Sequence, residues 1–277
     1  MKKTGGKTGL AAVAGSLALT VLALVVMIVY SVRPGSDTDT ADTAQGTEPA
    51  ADSAFVTPDP NEVSPTPEVT PAPTLLAETA DMGEEYLSRC IFLGDSTTYA
   101  LTAYGLLPTW QVWTHSTGTI TLSNQSIINI VLHDYEGNSW ESTIAGAAAD
   151  LQPDILIITL GVNGVSFMDE EYFTAEYLDL VQSIQAASPN TKIICQSIYP
   201  VIDSIAVQGI RNEYINAANE WIYNIAVQTG VRYLNTHDLL TDETGNLIAD
   251  YDNGDGIHLN ETGLAVVLQS VRTHAYQ

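Results

Sequence analysis

Basic side chains are scarce in this chain and unevenly placed. Nine Lys and Arg stand against 33 Asp and Glu, for a formal net charge of −24. Lys2, Lys3, Lys7 and Arg33 lie in the first 33 residues, where no acid occurs, and only Arg89, Lys192, Arg211, Arg232 and Arg272 follow. The head therefore carries +4 and the remainder −28. A surface that acidic repels nucleic acid and anionic lipid headgroups, which excludes both as partners of the region after residue 33. Cysteine is nearly absent too. Cys90 and Cys195 are the only two, so at most one disulfide is available, and no zinc-type Cys/His spacing exists. Both sit in hydrophobic runs that read as non-adjacent strands, which predicts two buried thiols acting as small apolar side chains. No internal repeat of solenoid length is present.

What the chain does have is partitioned along its length. Gly9 to Tyr30 is 22 residues without a charge. As a helix it would be roughly 33 Å long, against a hydrocarbon core of about 30 Å. The alternative is a cleaved signal peptide, whose apolar region is usually about 7–15 residues. This run is longer, ends in "VYSVRPG" rather than a small-x-small site, and has no nearby Cys to take a lipid. Residues 1–8 then form a short basic cytoplasmic tail, and residues 9–32 a single-pass transmembrane signal anchor. Three Lys before the span and one Arg after it orient everything downstream outside the cell. Residues 33–80 hold most of the prolines, many Thr and Ala, and no base after Arg33. They cannot bury a core and read as a disordered, polyproline-like stalk.

From Asp81 the composition is that of a globular domain, 81–277. "CIFLG" (90–94), "QVWTH" (111–115), "DILIITLG" (154–161), "KIICQSIYP" (192–200) and "VRYLN" (231–235) read as strands. Helical periodicity covers about Thr97–Leu106, 142–152, 169–188, 212–229 and 261–275. "SIINIVLHD" (126–134) reads as an extra strand, in a hairpin or as a flap. Strands alternating with helices predict a doubly wound α/β sheet of about five parallel strands, whose sites form at the carboxyl ends of the strands.

Three motifs fall at those ends: Gly94-Asp95-Ser96, Gly161-Val162-Asn163-Gly164, and Asp255-Gly256-Ile257-His258. Each has a structural reading by itself, as a helix cap, a turn and a polar loop. Together they hold every part of an acyl-transfer site. A serine becomes nucleophilic when an imidazole takes its proton and a carboxylate fixes that imidazole. The tetrahedral intermediate then needs preorganised donors. G-x-S-x-G is absent, since Thr98 stands where the second Gly would be.

In these blocks, their order and their spread over residues 88 to 277, the chain resembles the SGNH or GDSL-type hydrolases, esterases on a flavodoxin-like three-layer α/β/α sandwich. The resemblance implies Ser96 as nucleophile, His258 as base and Asp255 as the third triad member. It implies an oxyanion hole from the Ser96 N–H, a glycine N–H and the Asn163 side chain, with no metal or organic cofactor. The glycine is Gly118, which follows the second strand, with Gly137 as runner-up. Gly164 departs from the family, where Asp is usual. "DYDNGDGIHLNE" begins like an EF-hand but puts Gly254 at position 5 and Asp255 at position 6, which rejects that reading. His237 is a rival base without a partner of family precedent. His115 lies near the oxyanion loop, and His133 and His274 read as surface or structural. Tyr99, Tyr104, Trp110 and Trp113 line either an acceptor pocket or the core.

The expected protein is thus a membrane-anchored extracellular serine esterase. Its expected partner is a small-molecule or polysaccharide ester, foremost O-acetyl groups on a cell-envelope carbohydrate. Two alternatives stand beside it: a lipase or simple acyl esterase, and a non-catalytic carbohydrate-binding module on the same fold.

Overall fold

The computed structural model describes residues 74–206 and 209–277. The predicted membrane span and nearly all of the predicted stalk lie outside these residues. Among the described residues no helix is long and apolar enough to cross a membrane.

Five strands form one parallel sheet: β1 (Cys90–Gly94), β2 (Val112–Trp113), β5 (Ile155–Thr159), β6 (Lys192–Gln196) and β7 (Arg232–Leu234), in the order β2-β1-β5-β6-β7. The central strand "ILIIT" is buried along its whole length, as a strand covered on both faces must be. Its side chains alternate between two cores. Leu156 and Ile158 pack with the buried faces of α3 (Ile144–Leu151), α4 (Glu170–Ala187) and α5 (Asn212–Thr229). Ile155 and Ile157 pack with α1 (Gly83–Leu87), α2 (Ser96–Ala103), α6 (His237–Leu240) and α7 (Glu261–Thr273). That is a three-layer α/β/α arrangement. Side-chain caps fix several helix starts: Asp169 accepts from the Tyr172 N–H, Thr143 from Gly146 and Asn260 from Gly263.

Several boundaries differ from the sequence reading. The second strand shrinks to two residues because Thr109–Gln111 forms a 3-10 turn first. The helix after β1 stops at Ala103, not Leu106. The extra strand is β3 (Asn129–His133), and it does form a hairpin, pairing antiparallel with β4 (Ser139–Thr143). Ser142 and Thr143 therefore belong to a strand rather than to the following helix. Ile130 and Leu132 of the hairpin join the first core, and the Val131 N–H donates to Thr114 O at 2.8 Å, beside β2. The tilted pair Trp110–Tyr135, 4.5 Å between ring centroids and 43° between planes, pins the tip of the hairpin.

The folded body also begins before Asp81. Leu75 bridges Tyr233 in parallel, the Leu76 N–H donates to Tyr233 O and the Tyr233 N–H to Thr74 O. The last part of the predicted stalk thus lies along β7. Cys90 and Cys195 are free and buried, on strands separated by β5.

Candidate active site

The turn from β1 into α2 carries the first motif. A Cβ on Gly94 would lie 2.0 Å from Thr98 Oγ1 and 2.6 Å from Thr159 O, so only glycine fits. Asp95 caps α2: its Oδ1 accepts from the Thr97 N–H at 3.0 Å and from Thr97 Oγ1 at 2.9 Å. With the cap supplied by Asp95, the Ser96 hydroxyl is spared that task. Its Oγ lies 2.7 Å from His258 Nε2.

The loop before α7 delivers His258. Asp255 Oδ1 accepts the N–H groups of Ile257 (2.8 Å) and His258 (2.9 Å), while Oδ2 lies 2.7 Å from His258 Nδ1. Asp252 Oδ1 accepts from the Gly256 N–H, and Gly256 O accepts from the Ile202 N–H. Gly256 has φ +77 and a Cβ there would meet Ile205 Cγ1 at 2.4 Å, which explains glycine inside the motif. Ser96, His258 and Asp255 therefore form an unbroken hydrogen-bonded relay.

The electrostatics fit that relay. Burial alone would raise the Asp255 carboxyl, but hydrogen bonds from the His258 ring and from two backbone N–H groups overcome it and hold it at about 2. Burial alone would lower His258. The Asp255 hydrogen bond and charge outweigh it, so the imidazole is held above its usual value. The aspartate is thus a permanent anion that favours the imidazolium formed when a serine proton is taken.

Asn163 lies in the turn after β5, where its Nδ2 donates to Ile120 O at 3.1 Å and keeps its second hydrogen. The preceding Gly161 sits at φ +135, with no room for a Cβ between Ile198 and Phe173. Gly164 has a local reason as well: a Cβ there would lie 2.7 Å from Met168 Sδ. The Asp usual in the resemblance would need that side chain to move.

Of the two glycine candidates, Gly118 is the one beside the serine. A Cβ on it would lie 3.5 Å from Ser96 Cα, and its φ is +68. Gly137 sits at the turn of the hairpin with nothing within 4 Å. One detail departs from expectation. The Gly118 N–H donates to His115 O at 2.8 Å and closes a tight turn, so in this conformation it is not offered to an oxyanion.

The remaining histidines and aromatics sort themselves by partner. His115 bonds Thr117, His274 bonds Ser270 O, and His237 is buried at the end of β7 beside Thr241. Trp113 is core, Trp110 holds the hairpin tip, Tyr104 is exposed, and Tyr99 stands exposed next to Gly118. Among the described residues no group of three or more His, Cys, Asp or Glu is arranged to hold a metal ion.

Sequence reasoning missed the second carboxylate of the site. The Gly94-Asp95-Ser96 motif gives Asp95 no role of its own, yet Asp95 is 1 % exposed and its Oδ2 has no hydrogen-bond partner among the described residues. It faces a void of about 10 Å³ that Thr159 and Tyr199 also line. Burial pushes this carboxyl up to about 6 despite the Thr97 bonds. Its charge in turn favours protonated His258. Asp95→Asn keeps the shape and removes the charge. The acid limb of the pH profile for kcat/KM should then move to lower pH. A limb that stays in place in that profile would refute the coupling.

A model of the GDSL-like lipase/acylhydrolase family matches residues 92–266, from within β1 into α7. No curated protein matches the chain. Among solved structures, a protein from Streptococcus pneumonia provisionally described as a platelet activating factor aligns with a TM-score of 0.51 at 18% identity, covering 71% of this chain and 93% of that one. A GDSL-like lipase from Bacteroides thetaiotaomicron gives 0.46 at 16% identity, over 70% and 89% of the two chains. A carbohydrate esterase family 3 protein from Talaromyces cellulolyticus gives 0.45 at 18% identity, over 66% and 93%. The first of these shares the fold. With the family matched over well more than half of its length, the chain belongs to the GDSL-like lipase/acylhydrolase family and is a carboxylic ester hydrolase.

Proposed function

We propose that Ser96 is the nucleophile of this hydrolase, His258 its general base and then general acid, and Asp255 the residue that holds the imidazole. The observation that carries the assignment is the relay itself, with 2.7 Å from Ser96 Oγ to His258 Nε2 and 2.7 Å from His258 Nδ1 to Asp255 Oδ2. In the acylation step Ser96 Oγ attacks the ester carbonyl carbon while His258 Nε2 takes its proton. The tetrahedral oxyanion is met by the Ser96 N–H and by the second Nδ2 hydrogen of Asn163. The Gly118 N–H joins them once its turn bond to His115 O opens. Collapse expels the alcohol, which receives the proton from His258. Water then attacks the acyl-serine with His258 again as base and releases the acid.

The substrate we propose is an O-acetyl group on a cell-envelope or extracellular carbohydrate. Support comes from place and charge. A basic tail, a 22-residue uncharged run and a Pro/Thr-rich stalk before the domain fit a single-pass anchor that displays it outside the cell. An acidic domain disfavours anionic lipid assemblies as substrates.

A series of p-nitrophenyl esters tests this reading, together with acetate release from acetylated xylan. The full chain should release acetate, and hydrolysis should fall steeply from acetyl to octanoyl. Rates that rise with acyl length, without acetate release, would favour the lipase alternative. Absence of hydrolysis on every ester would favour the non-catalytic module.

A further inference from the structure

The carboxyl edge of the sheet carries a second feature, away from Ser96. A cavity of about 410 Å³ opens between α5 and the end of β7. Its rim is Asn216, Glu220, Tyr223 and Asn224, spaced to share one face of α5. The side chains of Asn216, Glu220 and Asn224 make no hydrogen bond to other described residues. The floor includes Tyr233 and His237, which are 6 % and 8 % exposed. Tyr223 is held edge-on against Tyr233 at 5.5 Å and 82°, so its exposed ring is fixed in place.

The chemistry of the floor is set by a tautomer. Thr241 Oγ1 donates its one hydrogen to His237 O at 2.7 Å, so it can only accept from His237 Nδ1 at 3.2 Å. The ring proton is then on Nδ1, and Nε2 is an acceptor. That Nε2 is buried and has no hydrogen-bond partner among the described residues. With almost no accessible surface, that atom is out of reach of a ligand hydroxyl in this conformation, and His237 serves to shape the cavity floor. Burial also keeps this imidazole uncharged by lowering its pKa.

Glu220 and Asp238 make the cavity rich in acceptors and hostile to anions. Asn216 and Asn224 each add a donor and an acceptor, and Tyr223 adds a fixed aromatic face. A neutral sugar ring answers all of these, with hydroxyls around its edge and C–H groups on its face. The cavity and Ser96 lie at the carboxyl ends of β7 and β1, three strand steps apart, on the order of 14 Å along the sheet.

We propose that this cavity is an outer subsite that holds an unesterified sugar unit of a neutral polysaccharide whose acetylated unit sits at Ser96. The proposal rests on the O-acetyl-carbohydrate reading above, and it is tested with the full chain and Tyr223→Ala/Asn224→Ala. The variant should raise KM for acetylated xylan about tenfold, the scale of one lost hydrogen bond and one ring contact, while kcat/KM for p-nitrophenyl acetate stays unchanged. Unchanged KM on xylan would overturn the subsite. Equal losses on both esters would overturn it too, since they would mark a purely structural effect. Calorimetric titration with unacetylated xylohexaose separates the subsite from the esterase reading. Binding by the parent chain that the variant loses supports the site even if neither ester is hydrolysed. No binding by the parent chain overturns the site even if both are.

Discussion

Ser96→Ala is expected to lower kcat/KM on p-nitrophenyl acetate by on the order of 10⁶-fold, because a serine–histidine pair works as a unit and neither half retains much without the other. The structure gives this loss a clean origin. The Ser96 hydroxyl meets the His258 ring, while capping of α2 belongs to Asp95 and the β1–α2 turn is set by Gly94. Alanine also suits a first-turn helical position. The thermal midpoint should therefore shift by no more than a few degrees, and far- and near-ultraviolet circular-dichroism spectra should overlay those of the parent chain. A variant with normal folding and more than about a hundredth of parent activity would reject Ser96 as nucleophile.

His258→Ala should produce a loss of the same order, and the double variant with Ser96→Ala should be no worse than either single one. Additive losses would mean that the two residues do not act together. The parent pH profile carries the same information. An imidazolium cannot accept the serine proton, so activity falls as pH drops through the His258 pKa, which Asp255 holds above 6.5. Asp255→Asn removes that support. Its acid limb should move to lower pH while the plateau drops by about 10⁴-fold, as when a triad imidazole loses its orienting carboxylate. Stability follows the opposite signs of the two partners. The depressed Asp255 pKa gives stability that is present above 3.8 and lost as pH falls towards about 2. The raised His258 pKa gives stability present below 6.5 and lost as pH rises through the folded value.

Much of this was readable from residues alone because two strong periodicities decide it. "ILII" (155–158) is apolar at every position, and in a chain whose helices alternate with strands that means a central parallel strand. Once those strands are placed, topology brings Ser96, Asn163 and His258 to one edge. Boundaries were less readable where side chains compete locally. "QVWTH" has the composition of a five-residue strand, but a 3-10 turn takes its first residue and the chain bends away after Trp113. Leu75 looked like stalk because its neighbours are Pro and Thr, and only the tertiary pairing with Tyr233 makes it structure. The Asp95 burial and the engaged Gly118 N–H were invisible for a different reason. Both depend on where a loop rests in three dimensions, not on any residue pattern.

The pairing of Thr74–Leu76 with β7 has a practical consequence for anyone who isolates the catalytic body. Cutting at Asp81, where composition turns globular, would strip the cover from an edge strand and leave the Tyr233 N–H and C=O bare. A naked parallel edge is a template for joining another chain, so such a fragment would tend to self-associate and precipitate. Thr74–Leu76, though Pro/Thr-rich chain precedes them, thus guard the domain against aggregation.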